Sequence, residues 1–167
     1  AGGCESVAMK QQDDRHFMLE AIRLAARGAA GGQGGPFGAV VVRDGVVVGR
    51  GCNRVTSSND PTAHAEMVAI RDACRRLKSF QLDGCTVYAS CEPCPMCLGA
   101  IYWARPARLV YACAGNDAAA IGFDDAWMYR EMRRPPRKRK IATLQMLRSE
   151  ALKVMRTWLK QAGRKMY

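Results

Sequence analysis

Phe37-Gly38-Ala39-Val40-Val41-Val42-Arg43-Asp44-Gly45-Val46-Val47-Val48-Gly49-Arg50-Gly51-Cys52 reads as two β-rich runs, Phe37–Arg43 and Val46–Cys52, joined by Asp44-Gly45. An Asp-Gly pair between apolar runs is the strongest short hairpin signal, because the tight turn needs positive φ at both central residues. The two strands are therefore expected to be antiparallel neighbours. Upstream, Asp13 to Gly28 has helical spacing in Phe17, Ala21, Leu24 and Ala25, with Asp13 or Asp14 as cap and Gly28 as stop. Gly31-Gly32-Gln33-Gly34-Gly35-Pro36 is a loop.

Downstream, Asn59-Asp60-Pro61-Thr62 ends the extended chain and starts a helix over about 63–78, with Asp60 or Thr62 as cap. Met67, Ile70, Cys74 and Leu77 share one of its faces. A strand at Thr86–Ser90 leads to a helix at Cys94–Ala104, which Pro106 bars from continuing. Arg108–Cys113 is a buried strand. After an irregular stretch through Ile121–Asp125 come a strand at Ile141–Leu147 and a helix at about 150–162. This order gives an α/β fold in three layers, α/β/α, around a mixed five-stranded sheet. Its N-terminal hairpin is antiparallel and its later strands are parallel, because helices connect them. Residues 1–12 read as a flexible extension and residues 13–167 as a single domain.

A chain of 167 residues fits one domain with a buried core. No apolar run approaches the roughly 20 residues that span a bilayer, which excludes a membrane-spanning helix as partner to lipid. The first residues, Ala1-Gly2-Gly3-Cys4-Glu5-Ser6, lack the basic start and apolar stretch of a signal peptide. The eight cysteines are accordingly read as those of a reduced, cytoplasmic chain that uses some of them for metal. Charge is unevenly placed. Residues 1–126 hold 13 Lys and Arg against 13 Asp and Glu, whereas residues 127–167 hold 13 against 2, so the whole excess of +11 lies in the last quarter. The densest part, Arg133-Arg134-Pro135-Pro136-Arg137-Lys138-Arg139-Lys140, is read first as a solvated surface and second as a nucleic-acid footprint.

Two short segments carry the chemistry: His64-Ala65-Glu66 and Pro93-Cys94-Pro95-Met96-Cys97. One imidazole and two thiolates fill three corners of a tetrahedral Zn²⁺ and leave the fourth for water, which separates a catalytic site from a closed structural one. Both segments fall at helix starts, where free N–H groups and the positive helix end lower thiol pKa values. Cys94 and Cys97, three apart, share one face of a first turn. His64 and Glu66 would diverge inside a helix but can face one cavity at its very first turn, where one of them is barely helical. Spacing alone leaves other sets open, since Cys91 forms a second Cys-x-x-Cys with Cys94 and Cys85 with Cys91 would complete a Cys₄ knuckle. The helix-start argument favours Cys94 and Cys97. Zinc would bring the pKa of its water toward about 7, and Glu66 would carry the proton from that water to the substrate. His16, Cys4, Cys52, Cys74, Cys85 and Cys113 read as structural.

Gly34-Gly35-Pro36-Phe37-Gly38-Ala39-Val40, Asn59 to Glu66, and Ser90-Cys91-Glu92-Pro93-Cys94-Pro95-Met96-Cys97-Leu98-Gly99-Ala100 together resemble the cytidine-deaminase-like superfamily of zinc nucleobase and nucleoside deaminases. Ala100-Ile101-Tyr102-Trp103-Ala104-Arg105-Pro106, Ile121-Gly122-Phe123-Asp124-Asp125 and the terminal Tyr167 resemble, more closely, its guanine deaminases. The resemblance covers about residues 13–167. It implies one Zn²⁺ per chain on His64, Cys94 and Cys97, and hydrolysis of guanine to xanthine and ammonia with Glu66 as proton shuttle. It further implies that Asn53 hydrogen-bonds the purine and that Asp125 contacts the base and assists proton transfer to the amine. Phe37, Ala65 and Trp103 would line the pocket, and Tyr167 would help close it. A homodimer that exchanges a C-terminal segment of about 145–167 is implied as well. The alternatives are a guanosine deaminase, a tRNA adenosine or other nucleobase deaminase, and a zinc-stabilised nucleic-acid-binding module without activity. The Arg133–Lys140 run departs from the pattern, being more basic than guanine requires.

Overall fold

The computed structural model describes residues 2–166, with side chains from Asp13 to Met166, so Cys4 and Tyr167 lie outside the described side chains. The chain divides after Asp125 into two compact units. The larger runs through α1 (Gly2–Ala30), β1 (Gly38–Arg43), β2 (Val46–Cys52), α2 (Val55–Ser58), α3 (Ala65–Leu77), β3 (Thr86–Cys91), α4 (Pro95–Ala104), β4 (Arg108–Cys113) and α5 (Gly115–Ala120). The smaller contains α6 (Ala126–Arg133), a 3₁₀ turn at Pro136–Lys138 and α7 (Arg148–Leu159).

The hairpin forms as expected. Asp44 and Gly45 have φ of 50° and 75°, the left-handed pair that a tight hairpin turn demands. The sheet order is β2-β1-β3-β4, with β1 antiparallel to β2 and to β3, and β3 parallel to β4. Alternation along the strands feeds two cores. On one face Val40, Val42 and Tyr88 pack with Phe17 and Ala21 of α1. On the other, Ala39, Val41 and Val87 pack with Ala69, Ile70 and Ala73 of α3 and Ile101 and Ala104 of α4. Three layers result, α1 on one side and α3 with α4 on the other. Gly51 lets α3 lie directly on β2, since a Cβ there would overlap the Ala65 carbonyl.

Three expectations change. α1 begins at Gly2, so Asp13 and Asp14 sit inside it instead of capping it. Asp14 accepts from the Arg108 guanidinium at 3.2 and 2.9 Å and from the Tyr88 hydroxyl at 2.6 Å, which ties α1 to β4 and β3. Arg108 holds the Asp14 carboxyl below its usual range. The cap of α3 is His64 itself; Asp60 accepts from Thr62 N and Oγ1 at 2.8 and 2.7 Å in the turn before it. Finally, the sheet has four strands among the described residues, not five. Ile141–Leu147 forms no ladder, and Ile141 and Leu144 are 78% and 81% exposed. Its apolar content suits a strand, but composition does not make a segment pair, and β2 and β4 keep free outer edges among the described residues. Among the described residues no helix is long and apolar enough to cross a membrane.

Candidate active site

β2 and β3 end at the same side of the sheet's neighbourhood of α3 and α4, and each of these helices opens with a residue that carries chemistry. His64 has extended backbone (φ −66°, ψ 157°) and Cys94 likewise (φ −62°, ψ 167°), each as the N-cap of its helix. Neither side chain is bound to the helical array. Cys97, fully buried, comes from the first turn of α4 behind Pro95. His64 Nδ1 lies 3.5 Å from Cys94 Sγ and 3.6 Å from Cys97 Sγ, and the three ligand atoms fall within 4.8 Å of one another. Zinc–nitrogen and zinc–sulfur bonds of about 2.0–2.1 and 2.3 Å give a tetrahedral N···S edge of about 3.6 Å. The cluster thus has the size and the soft donors of a zinc site, with one corner left over. Cys91 remains at the end of β3, its thiol directed to the Ala114 carbonyl at 3.6 Å, and it is not in the cluster.

Electrostatics follow from this crowding. Cys97 donates a hydrogen bond to Cys94, which, with His64, brings the Cys94 thiol down to about 4. The same hydrogen bond and burial hold the Cys97 thiol well above its usual range. His64 is raised, chiefly by its contact with Cys94. Glu66, in the first turn of α3, is buried (8% exposed), and that burial raises its carboxyl above the usual 4.5. Ala65, between His64 and Glu66 in the chain, is buried in the core, and its carbonyl lies against Gly51 of β2.

Asn53, buried at the end of β2, is fixed by the backbone around it. Its Oδ1 accepts from Gly35 N at 3.3 Å and Val55 N at 3.1 Å, and its own N–H donates to the Phe37 carbonyl at 3.0 Å. The Nδ2 end is the one left to meet a ligand. Gly34 makes this fit possible, because a Cβ there would overlap Asn53 Oδ1. Phe37 meets Phe123 edge to face, centroids 4.9 Å apart. Sequence reading missed Phe123 and Gly34 as parts of the site. The paired glycines before the hairpin were the available signal, since a glycine marks close backbone approach. Asp125 is half-buried, and burial followed by the Cys94 thiolate raises its carboxyl. Trp103, in the last turn of α4, is 64% exposed.

The zinc-binding region of cytidine and deoxycytidylate deaminases matches residues 11–113, which contain the whole His64–Cys94–Cys97 cluster and Glu66. The chain belongs to this deaminase family. Zinc is the family's metal, and the cluster fits one ion per chain. Guanine deaminase of Bacillus subtilis is 52% identical over 151 residues, covering 90% of this chain and 97% of that protein. The X-ray structure of guanine deaminase from Bacillus subtilis superposes with a TM-score of 0.89 at 51% identity, over 92% of this chain and 98% of that one. Another deaminase relative, the tRNA-specific adenosine deaminase of Aquifex aeolicus, is 40% identical over 97 residues, covering 58% of this chain and 64% of that one.

Proposed function

We propose that this chain is a zinc-dependent hydrolase that converts guanine and water to xanthine and ammonia. The observation that carries the reading is the 52% identity to a guanine deaminase across 90% of the chain. The ion, when bound by His64, Cys94 and Cys97, polarises a water molecule and brings its pKa toward neutrality. Glu66 takes one proton of that water and gives it to a purine ring nitrogen as oxygen bonds to the carbon bearing the 2-amino group. It then takes the second proton from the new hydroxyl as the carbonyl forms and gives it to the amine, which leaves as ammonia when that C–N bond breaks. Burial suits Glu66 to both directions, since a carboxyl with a raised pKa gives up a proton as well as taking one. Asn53 donates from Nδ2 to a purine acceptor, Asp125 contacts the amidine edge, and Phe37 with Phe123 walls the ring. The exposed Trp103 and the terminal Tyr167 complete the pocket.

The test is ammonia release measured across guanine, guanosine, adenine, cytosine and cytidine, with zinc content determined on the same samples. Guanine is expected to be the best substrate, at a rate nearly indifferent to salt; preference for guanosine would move the reading to the nucleoside. Gly34→Ala is expected to keep its zinc and lose about tenfold or more in kcat/KM, an energetic loss of about 1.4 kcal/mol, because the new methyl displaces Asn53. Unchanged kinetics in that variant would remove Gly34 from the positioning role.

The smaller unit supports a homodimer in which residues 145–167 are exchanged. Met146, Leu147, Val154, Met155 and Leu159 are more than half exposed, an apolar run that a second copy would cover. The described cysteines are free thiols, which supports a cytoplasmic setting. Deleting Lys165–Tyr167 is expected to lower guanine turnover on the order of 10²-fold while zinc content and thermal unfolding stay as they were. Normal turnover in the truncated chain would sink the closing role of Tyr167.

A further inference from the structure

The basic run 133–140 is not an open loop. α6 ends at Arg133, and the chain turns back through the 3₁₀ turn. The Glu131 carboxylate, whose side chain is only 15% exposed, accepts from the Arg134 guanidinium at 2.6 Å and from Lys140 N at 2.7 Å. Arg139 folds inward, donating from Nε to the Arg134 carbonyl at 3.2 Å and from Nη2 to the Met132 carbonyl at 3.5 Å. Pro135 and Pro136 stiffen the turn between these ties. The result is a knot that gathers seven Lys and Arg against one Glu, a net of +6, into residues 130–140.

Two of those cations hold the knot together. Arg130, Arg133, Arg137, Lys138 and Lys140 are exposed and form no ion pair among the described residues. Like charges this close repel within a Debye length of about 8 Å, so the folded knot favours a counter-ion carrying several negative charges. Cations held by a folded backbone also lose less freedom on binding than those of a flexible tail. Guanidinium forks match phosphate oxygens, and five exposed cations within eleven residues match several backbone phosphates better than one small anion. A lipid surface fits less well, because an interfacial element needs a continuous apolar face beside its charges, and the exposed apolar side chains of residues 130–140 are Met132 and two prolines.

We propose that the Arg130–Lys140 knot is a docking surface for single-stranded RNA, gripped through its phosphates and without sequence readout. This binding is separate from the reaction, so guanine turnover and RNA affinity change independently.

The experiment uses the full zinc-loaded chain and a labelled 20-nucleotide oligo-uridine, which offers no guanine to the catalytic pocket, followed by fluorescence anisotropy from 50 to 200 mM KCl. If the five free cations each neutralise one phosphate, affinity is expected to fall roughly 130-fold across that range, from a slope of about −0.7 per contact. The combined variant Arg133→Ser, Arg137→Ser, Lys138→Ser and Lys140→Ser, which leaves Arg130, is expected to bind far more weakly at 50 mM, with only about a threefold residual salt response. Arg133→Lys with Arg137→Lys should retain most of the binding. Guanine turnover and thermal unfolding should match the parent throughout. RNA binding that the serine variant leaves unchanged overturns the proposal, as does no RNA binding by the parent at 50 mM. Loss of phosphatidylserine-vesicle binding in the serine variant, with no RNA binding by the parent, would assign the knot to lipid instead.

Discussion

Glu66→Gln is expected to bind one zinc per chain and to release ammonia from guanine at least about 10³-fold more slowly, a loss of about 4 kcal/mol in transition-state stabilisation. Glutamine keeps the volume and the packing of a residue that is 8% exposed, so α3 should start as before and His64 should stay in place. What it lacks is a site for the travelling proton. The pH profile separates this from a structural role. Glu66 must be ionised to receive the proton, and burial raises its pKa above the usual 4.5, so the parent's activity falls on the acid side of neutrality before ordinary carboxylates titrate. Above that pKa the carboxylate is charged and the limb levels off. The glutamine variant should show only its small residual rate and no limb from this group. Near-normal turnover with full zinc would remove Glu66 from the shuttle.

The parts legible from sequence are those where local chemistry decides the outcome. Asp44-Gly45 could serve one purpose, and both residues take the positive φ that it needs. His64 follows the Asp60-Pro61-Thr62 turn and Cys94 follows β3, each precedes helical periodicity, and both become N-caps at one cluster. Where partners are distant in sequence, local reading fails. Asp14 looks like a helix cap, yet its partners are Tyr88 and Arg108, 74 and 94 residues away. Phe123 sits in an irregular segment, and only the folded chain brings it edge-on to Phe37. Gly34 is one of four glycines in its loop, and nothing local singles out the one pressed against Asn53. Ile141–Leu147 has the composition of a strand, but composition alone does not decide whether a segment joins a sheet edge. The basic run was read from its charge alone; the Glu131 and Arg139 ties that fold it depend on side-chain geometry.

Removing a ligand should act on metal before it acts on chemistry. Cys94→Ala is expected to purify with less than about a tenth of the parent's zinc and with no turnover above background, while Glu66→Gln keeps the metal; the pair of variants separates holding from proton transfer. The parent's own zinc affinity should depend on pH in a way set by these three ligands. Metal binds the deprotonated forms, so every proton it displaces makes affinity rise with pH. Cys94, already ionised down to about pH 4, displaces none in the neutral range. Cys97, held protonated by its hydrogen bond to Cys94, displaces one. His64 displaces a second below its raised pKa. As pH is lowered, zinc affinity should therefore fall about tenfold per unit while pH is above the His64 pKa and about a hundredfold per unit once it is below. Titration calorimetry of the metal-free enzyme, in buffers of different ionisation enthalpy, counts these protons directly. Affinity that stays flat from pH 8 to 6 would mean that the thiols and the imidazole reach the metal already deprotonated, and the proton sharing between Cys94 and Cys97 would have to be abandoned.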